Sequence, residues 1–396
     1  MMETDVFIAG AGLAGSIAAL SYSKAGRNVI VADPFIYSDN AQVDYRTTAY
    51  LQPSKLFLER LDIWEAIEDS AMPLEVMKII DSSNFKIGEE IKSQKEFKSA
   101  EISDLPFGWN VKNSLMRTAL KRLIDQQSNC KLITASSAID LVCRDSMAYV
   151  KLSSGKTVKA KLVIAADGRN SILRQKAGIS IKTQRFGQKA LAFAVTHATP
   201  HKNISTEIHN SGGPFTLVPL PDNNGKPSSA IVWMENGEKA KRLMEMETKS
   251  FEREMTVRSC NILGPLKLAS KRSLWPIISQ IADRLYSQRL ALIGETAHVV
   301  PPIGAQGLNM SIKDIKFLNN LDQKYPDQLG SMDILNEYQK NRIFDIRQRV
   351  AGVSALNRIS ISSNKLVQNV RAFGLENFFQ VPAIKHATMK LGMGNR

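Results

Sequence analysis

The sequence predicts an α/β protein: a Rossmann-like nucleotide-binding domain, interrupted by an inserted β-sheet and followed by C-terminal helices. Three observations predict it. The chain opens with a strand, a glycine-rich turn, a helix and a second strand. Two further glycine-and-acid turns, near 167 and 294, each end an apolar strand. The stretch between those turns has the texture of strands rather than of repeated βα units. At 396 residues the chain is long enough for two or three structural units.

The front end comes first in the argument. TDVFIA at 4–9 reads as a buried strand, GAGLAG follows, SIAALSYSKAG has apolar residues at helical spacing, and NVIVAD is a second strand. In this G-x-G-x-x-G arrangement Gly10 allows the tight turn. Gly12 lets a pyrophosphate approach the backbone, and Gly15 lets helix and strand pack closely. The first helical turn, with Leu13 and Ala14, offers free N–H groups and the positive end of the helix dipole to phosphates. Asp33, at the end of the second strand, is placed to accept hydrogen bonds from a ribose and would repel a 2′-phosphate. The motif by itself does not separate NAD from FAD.

A dehydrogenase would continue with regular βα units, but here the pattern breaks. VDYRTTAYLQPSKLFLERLDIWEAI carries Arg46 on a loop into a helix. KLVIAADGRNSILRQKAGI is a buried strand ending in Ala166-Asp167-Gly168, with Ser171 and Arg174 on a short helix beyond. LIGETAHVVPPIGAQGLNMSIKD then ends a strand at Gly294-Glu295, stiffens the next turn with Pro301-Pro302 and opens a helix through Gly304 and Gly307. Three such turns suggest one extended ligand touched along its length, and FAD is such a ligand.

In the order and spacing of these motifs the chain resembles the class A flavoprotein aromatic hydroxylases, typified by para-hydroxybenzoate hydroxylase. YRTTA around Arg46, WNVKNSLMRTAL at 109–120 and HVVPPIGAQGLNMSIKD are similar to the ubiquinone-biosynthesis ring hydroxylases of that family. The resemblance implies a Rossmann-like FAD-binding domain made of 1–75, 108–185 and 281–325. It also implies an inserted β-sheet substrate domain at 76–107 and 186–280, and a helical region at 326–396. It implies that Gly10, Gly12, Leu13, Ala14, Gly15 and Asp33 hold the ADP half of FAD. Arg46 and Arg117 would approach the phosphates and flavin, and Asp167-Gly168 would line the pyrophosphate. Gly294-Glu295 would meet the ribityl chain, and Pro302, Gly304, Gly307, Leu308 and Asn309 would lie against the isoalloxazine ring. The helix beginning near Gly307 would aim its positive end at the edge of the ring where charge gathers on reduction. One position departs from the pattern: the turn usually reads Gly-Asp, and Glu295 reaches one methylene further.

The implied reaction is a monooxygenation. NAD(P)H, bound transiently, reduces FAD; O2 forms a flavin C4a-hydroperoxide; and the distal oxygen passes to the ring of a polyprenylated phenol. No catalytic base and no metal ligand set are nominated. Prenyl reductases share the scaffold and form the alternative within enzymes. A flavin-binding accessory subunit of a quinone-biosynthesis assembly is the alternative outside them. The W-x-W-x-I-P segment of tryptophan-type halogenases is missing.

The remaining features bound the setting. Net charge is +14, and from Lys340 to Arg396 ten basic residues face only Asp345 and Glu376. That suits a solvated face or an anionic membrane, and no nucleic-acid module accompanies it. Cys130, Cys143 and Cys260 are widely spaced, as in a reducing compartment. The acidic start is no secretory signal, so the expected location is cytoplasmic, peripheral on the inner face of the membrane. In the middle, ALAFAVTHA, PFTLVPLP and SSAIVWME read as strands, with an apolar cavity expected where their sheet meets the flavin domain. His197, His201 and His209 lie there without metal spacing and are expected at the surface; His298 is expected to be a structural hydrogen-bonder. Two helical stretches follow from 326, and Phe373, Leu375, Phe378, Phe379, Val381 and Ile384 among Arg371, Lys385 and Lys390 make a basic, apolar candidate membrane patch.

Overall fold

Strand Met2–Ala9 is apolar on both faces from Val6 to Ala9, and a strand of that kind belongs in the middle of a parallel sheet. The computed structural model, which describes residues 1–35, 44–82, 93–361 and 382–394, places it there. The order across the sheet is Tyr286–Ser287, Leu290–Leu292, Thr157–Ala165, Met2–Ala9, Val29–Ala32 and Cys130–Ile133. All neighbours are parallel except the outermost pair at Tyr286. An antiparallel hairpin, Ala138–Cys143 and Ala148–Leu152, adds to the amino-terminal half of Thr157–Ala165.

Parallel register brings three separated segments to one edge. Ala166 N–H donates to Ala9 O at 2.8 Å and Ile293 N–H to Ala165 O at 3.1 Å, so the turns after Ala9, Ala165 and Leu292 lie side by side. Helix Leu13–Lys24 leaves the first of these turns. It is rich in small residues, and everything from Gly15 to Ser23 is buried.

The second sheet is mostly antiparallel. Its order is His298–Val299, Ser273–Ala282, Ile181–Thr196, Lys226–Asn236, Gly213–Asn223, Ile204–Asn210, Val76–Asp81 and Ser93–Lys98. Period-2 alternation gives it two unlike faces. Leu191, Phe193, Val195, Ile231 and Trp233 pack against helices Gly237–Glu245 and Thr248–Arg258, with Phe193 edge-on to Phe251 at 5.2 Å. Ala190, Ala192, Ala230 and Val232 occupy the other face and are small. Strand Ile181–Thr196 runs through position 185, and Ser273–Ala282 through 280, so continuous strands carry the chain between the parts.

A small sheet, Thr47–Leu51, Gly108–Lys112 and Met72–Leu74, holds the segment after Arg46, and helix Gln52–Glu59 follows it directly. Helix Met332–Ile361 runs from one part of the molecule to the other. Tyr338 Oη donates to Leu292 O at 2.8 Å near one end, and Asn357 Nδ2 to Gln188 Oε1 at 2.9 Å near the other. Helix Pro382–Met393 closes the described chain. Phe373, Leu375, Phe378, Phe379, Val381 and Arg371 of the expected membrane patch lie outside the described residues, as does the side chain of Ile384. Among the described residues no helix is long and apolar enough to cross a membrane.

Candidate functional site

The glycine turn is built as its residues demand. Gly10 has φ +98°, and a Cβ there would stand 2.5 Å from Ala166 O. A Cβ on Gly15 would stand 1.9 Å from Gly10 O, so any side chain there would separate helix from turn. Gly12 differs: nothing lies within 4 Å of a Cβ built on it, at the uncapped N-terminus of Leu13–Lys24. A phosphate group fits that approach, because the free N–H groups of the first turn face it without an intervening side chain.

Asp33 lies at the end of Val29–Ala32, as expected, and both its oxygens accept backbone N–H groups. Ala11 donates to Oδ2 at 2.5 Å and Phe35 to Oδ1 at 2.7 Å. The acid therefore fixes the glycine turn, and a carboxylate retains acceptor capacity beyond these two bonds.

Asp167 ties down the second turn. Its Oδ2 accepts from Ile172 N–H at 3.0 Å, and Thr296 Oγ1 donates to its Oδ1 at 3.3 Å. Gly168 has φ +85°. Buried Arg174 joins this turn to the third, donating to Arg169 O at 3.0 Å and to Thr296 O at 2.9 Å. Gly294 has φ +60° and is wedged between Ala14 and Ser311, where a Cβ would meet them at 3.4 and 3.3 Å. The longer reach of Glu295 is used: Arg169 Nε donates to its Oε2 at 3.2 Å.

Arg46 is locked. It donates to both oxygens of Asp44 at 2.8 Å and lies over the Trp275 ring, 4.3 Å from its centroid. Burial alone would push the Asp44 carboxyl up, but the Arg46 guanidinium holds it below its ordinary value. Arg117 comes within 4.0 Å of the same carboxylate. Asp44, two residues before Arg46, thus gathers both predicted arginines, and sequence reasoning passed over it. Its spacing to Arg46 was the available signal.

The segment from His298 to Asn309 is held from behind. Ala305 takes a left-handed conformation, φ +55°, and the helix begins at Gln306. Asn309 pins its start: Oδ1 accepts from Leu51 N–H at 2.9 Å, and Nδ2 donates to Ala49 O at 2.8 Å. Gln306 Nε2 donates to Gly304 O at 2.8 Å. His298 Nε2 is 2.7 Å from Asp314 Oδ2, and both are buried. No local pattern in the sequence pointed to Asp314, or to Arg342, which meets it from helix Met332–Ile361.

A cavity of about 170 Å3 lies where the two parts meet. Its wall from the second sheet is Ala190, Ala192, Ala230, Val232 and Ile277; the segment from Val299, at the edge of that sheet, to Pro302 forms another wall; Arg46, Arg169, Glu295 and Trp275 are its polar rim. The small side chains on that sheet face are what leave the space. Gly304, Gly307, Leu308 and Asn309 lie beyond this wall and do not line it.

The three histidines of the second sheet correct an expectation. His197, His201 and His209 are buried, not at the surface. His197 bridges Thr199 O at 2.9 Å and Ser229 Oγ at 3.0 Å, His201 Nε2 contacts Leu220 O at 3.0 Å, and His209 pairs with Glu207 at 2.8 Å. Imidazole suits such places because it can satisfy strand-end carbonyls and hydroxyls that an apolar side chain would strand.

The profile of a family described as FAD binding domain matches residues 3–352. The chain is 28% identical over 397 residues to ubiquinone hydroxylase UbiL of Rhodospirillum rubrum, covering 98% of this chain and 89% of that protein. It is 24% identical over 400 residues to 3-demethoxyubiquinol 3-hydroxylase of Escherichia coli, covering 99% and 98%. Among solved structures it resembles p-nitrophenol 4-monooxygenase PnpA from Pseudomonas putida DLL-E4, with TM-score 0.78, 17% identity and 99% coverage of both chains.

Proposed function

The chain belongs to the FAD binding domain family, and from that premise we propose that it is a flavin-dependent monooxygenase that hydroxylates the aromatic ring of a polyprenylated phenol in ubiquinone biosynthesis. The observation that carries the reading is the alanine-walled cavity between the second sheet and the Val299–Pro302 wall. Relatives named ubiquinone hydroxylases along nearly the whole chain support the choice of substrate class.

In this reading Gly10, Gly12 and Gly15, with Asp33, hold the ADP half of FAD, and Asp167-Gly168 border the pyrophosphate. Gly294-Glu295 meets the ribityl chain. Pro302 to Asn309 face the ring, with the N-terminus of Gln306–Lys324 favouring negative charge at its edge. When bound, the flavin supplies the redox and oxygen chemistry. The protein's part is to seat the phenol against the apolar wall of Ala190, Ala192 and Ala230 and to keep water from the reacting atoms. Arg46, held by Asp44 and stacked on Trp275, presents a fixed positive charge at the rim for a phenolate oxygen. NAD(P)H is the reductant, bound transiently.

We extend the proposal to the substrate's source. On helix Met332–Ile361, Phe344, Leu356 and Ile359 are exposed beside Lys340, Arg347 and Arg358, with no exposed acid between Lys340 and Ile361. Such a face suits an anionic bilayer, where a polyprenylated phenol resides. Other quinone-biosynthesis proteins are the remaining candidate partners.

The test is to load the purified protein with FAD, add NAD(P)H without air, then admit 18O2 with a prenylated phenol. Flavin absorbance is expected to bleach and return, with the label in the ring. Bleaching with saturation of the prenyl chain and no label would mean a reductase. Bound flavin that never bleaches would mean an accessory role.

A further inference from the structure

A second cavity, of about 230 Å3, shares no lining residue with the alanine-walled one. It lies between helix Gln52–Glu59, the first turns of Gln306–Lys324 and the end of Pro382–Met393. Three cations line it, Lys313, Lys316 and Arg349, and no carboxylate does.

The charges around it do not balance. Asp345 stands behind the wall, receiving Lys313 at 3.2 Å and Arg349 at 3.0 Å, but Arg342 claims it too at 2.6 Å. Asp314 is taken by Arg342 and His298. Among the described residues, Lys313, Lys316, Arg342 and Arg349 therefore face only the two carboxylates of Asp314 and Asp345. Lys316 makes no ion pair or hydrogen bond with a described residue. Burial, with Arg342 and Arg349 near, pushes the Lys313 ammonium below its ordinary value although Asp345 works to raise it.

The opposite wall adds neutral donors. Ser54 is only 4% exposed, lines the cavity and has no hydrogen-bond partner among the described residues. It sits in the first turn of Gln52–Glu59, an eight-residue helix whose N-cap, Leu51, provides no side-chain cap. Leu51 N–H is taken by Asn309 Oδ1 and Pro53 has no N–H, which leaves the N–H groups of Gln52 and Ser54 without a partner within the helix.

We propose that this cavity is a binding site for a phosphate group, held by Ser54 and the helix N-terminus on one side and by Lys313, Lys316 and Arg349 on the other. A phosphate supplies the missing negative charge, and its several acceptor oxygens match donors that converge from two elements. Gln306 and Asn309, which line this cavity, belong to the Pro302–Asn309 segment, and Arg349 Nη1 donates to Gln306 Oε1 at 2.6 Å, so the site borders that turn directly. The assignment stands independently of the proposed reaction.

Calorimetric titration of the full-length protein with inorganic phosphate, at ionic strength fixed with chloride, tests it. Saturable binding at one site is expected, and Lys316→Gln and Ser54→Ala should each weaken it about tenfold or more, the worth of a charge-assisted bond. Lys249→Gln, on an exposed helix elsewhere, should leave it unchanged. Both test variants should melt as the parent does without phosphate, since Lys316 is half-buried and the Ser54 hydroxyl is unbonded. Displacement of phosphate by sn-glycerol 3-phosphate would identify soluble phosphate esters as ligands. Displacement by phosphatidate vesicles but not by phosphatidylcholine vesicles would identify lipid headgroups; either supports the site. No saturable binding, or equal affinity in parent and both variants, overturns it.

Discussion

Arg342 grips Asp314 with two nitrogens, Nε at 2.8 Å and Nη2 at 2.7 Å from Oδ1, where neither side chain is more than 1% exposed. The arginine comes from the long C-terminal helix and the aspartate from the helix that follows the proline turn. The other oxygen of Asp314 meets His298, at the start of that turn. A feature distant in sequence thus braces the region proposed to face the ring.

Breaking this pair from one side leaves a buried carboxylate without its main partner. Arg342→Met should lower unfolding free energy by about 3–5 kcal/mol, as removal of one member of a buried ion pair does. Arg342→Met combined with Asp314→Asn should recover part of the loss, because no bare charge remains. Urea denaturation of the three proteins checks both statements; a double variant no better than the single would remove the electrostatic explanation.

Acid should loosen the same region. Burial alone would raise the carboxyls of Asp314 and Asp345, yet Arg342, aided by His298 at the first and by Arg349 and Lys313 at the second, holds both below the ordinary 3.8. A carboxylate with a depressed folded pKa binds fewer protons folded than unfolded, so its stabilisation is complete above 3.8 and fades as pH falls through the lower folded value. The stability gap between parent and Asp345→Asn should therefore be widest near neutrality and narrow below pH about 4. A gap independent of pH would mean that Asp345 acts only by shape.

Gly12 and Gly15, three residues apart in the motif, should fail differently. Gly15→Ala puts a methyl 1.9 Å from Gly10 O and should destabilise the apoprotein itself. A Cβ on Gly12 meets nothing within 4 Å, so Gly12→Val should fold normally, yet bind no FAD. Thermal melts without flavin, set beside flavin content, separate the two. Normal FAD content in Gly12→Val would remove the pyrophosphate assignment.

Filling the alanine wall should act on substrate alone. Ala192→Phe projects a ring into the cavity of about 170 Å3 from a strand whose opposite face is packed. Overpacking of this kind costs about 1–3 kcal/mol where space is lacking, and an open cavity should make it cheaper. FAD content should stay at parent level while turnover of a prenylated phenol falls sharply. Parent-like turnover would place the phenol elsewhere.

What could be read in advance follows from how each feature is encoded. The βαβ unit, the three strand-end turns and the split between parallel and antiparallel parts are local patterns of glycine, acid and apolar periodicity, and they were legible. The alternation of Ala190, Ala192 and Ala230 with Leu191, Phe193 and Ile231 also stood in the sequence, but which face was small mattered only once the sheet had something to cover. Asp314 and Arg342 are 28 residues apart and mean nothing until two helices cross. Buried His197, His201 and His209 looked like surface residues because their partners are backbone carbonyls, a hydroxyl and Glu207, which spacing does not announce. Gly12 and Gly15 show the converse: both were read as site glycines, yet the contacts of a built Cβ separate packing from access.

Glu295 offers the sharpest test of an unusual residue. The extra methylene lets its carboxylate accept from Arg169 Nε at 3.2 Å, where both side chains border the cavity and the turn after Asp167-Gly168. With Arg46 nearby, the carboxylate keeps two cations at the rim from repelling one another. Glu295→Gln preserves length and one acceptor but removes the charge, while Glu295→Asp preserves the charge and withdraws it from Arg169. If the carboxylate binds the ribityl hydroxyls, Gln should weaken FAD about tenfold, near the lower end of what a hydrogen bond to a charged group contributes, and Asp should remain close to the parent. If its work is to hold Arg169, both variants should weaken FAD alike. Quenching of flavin fluorescence on binding, measured without any turnover, distinguishes the two patterns, and parent-like affinity in both variants would remove Glu295 from the site.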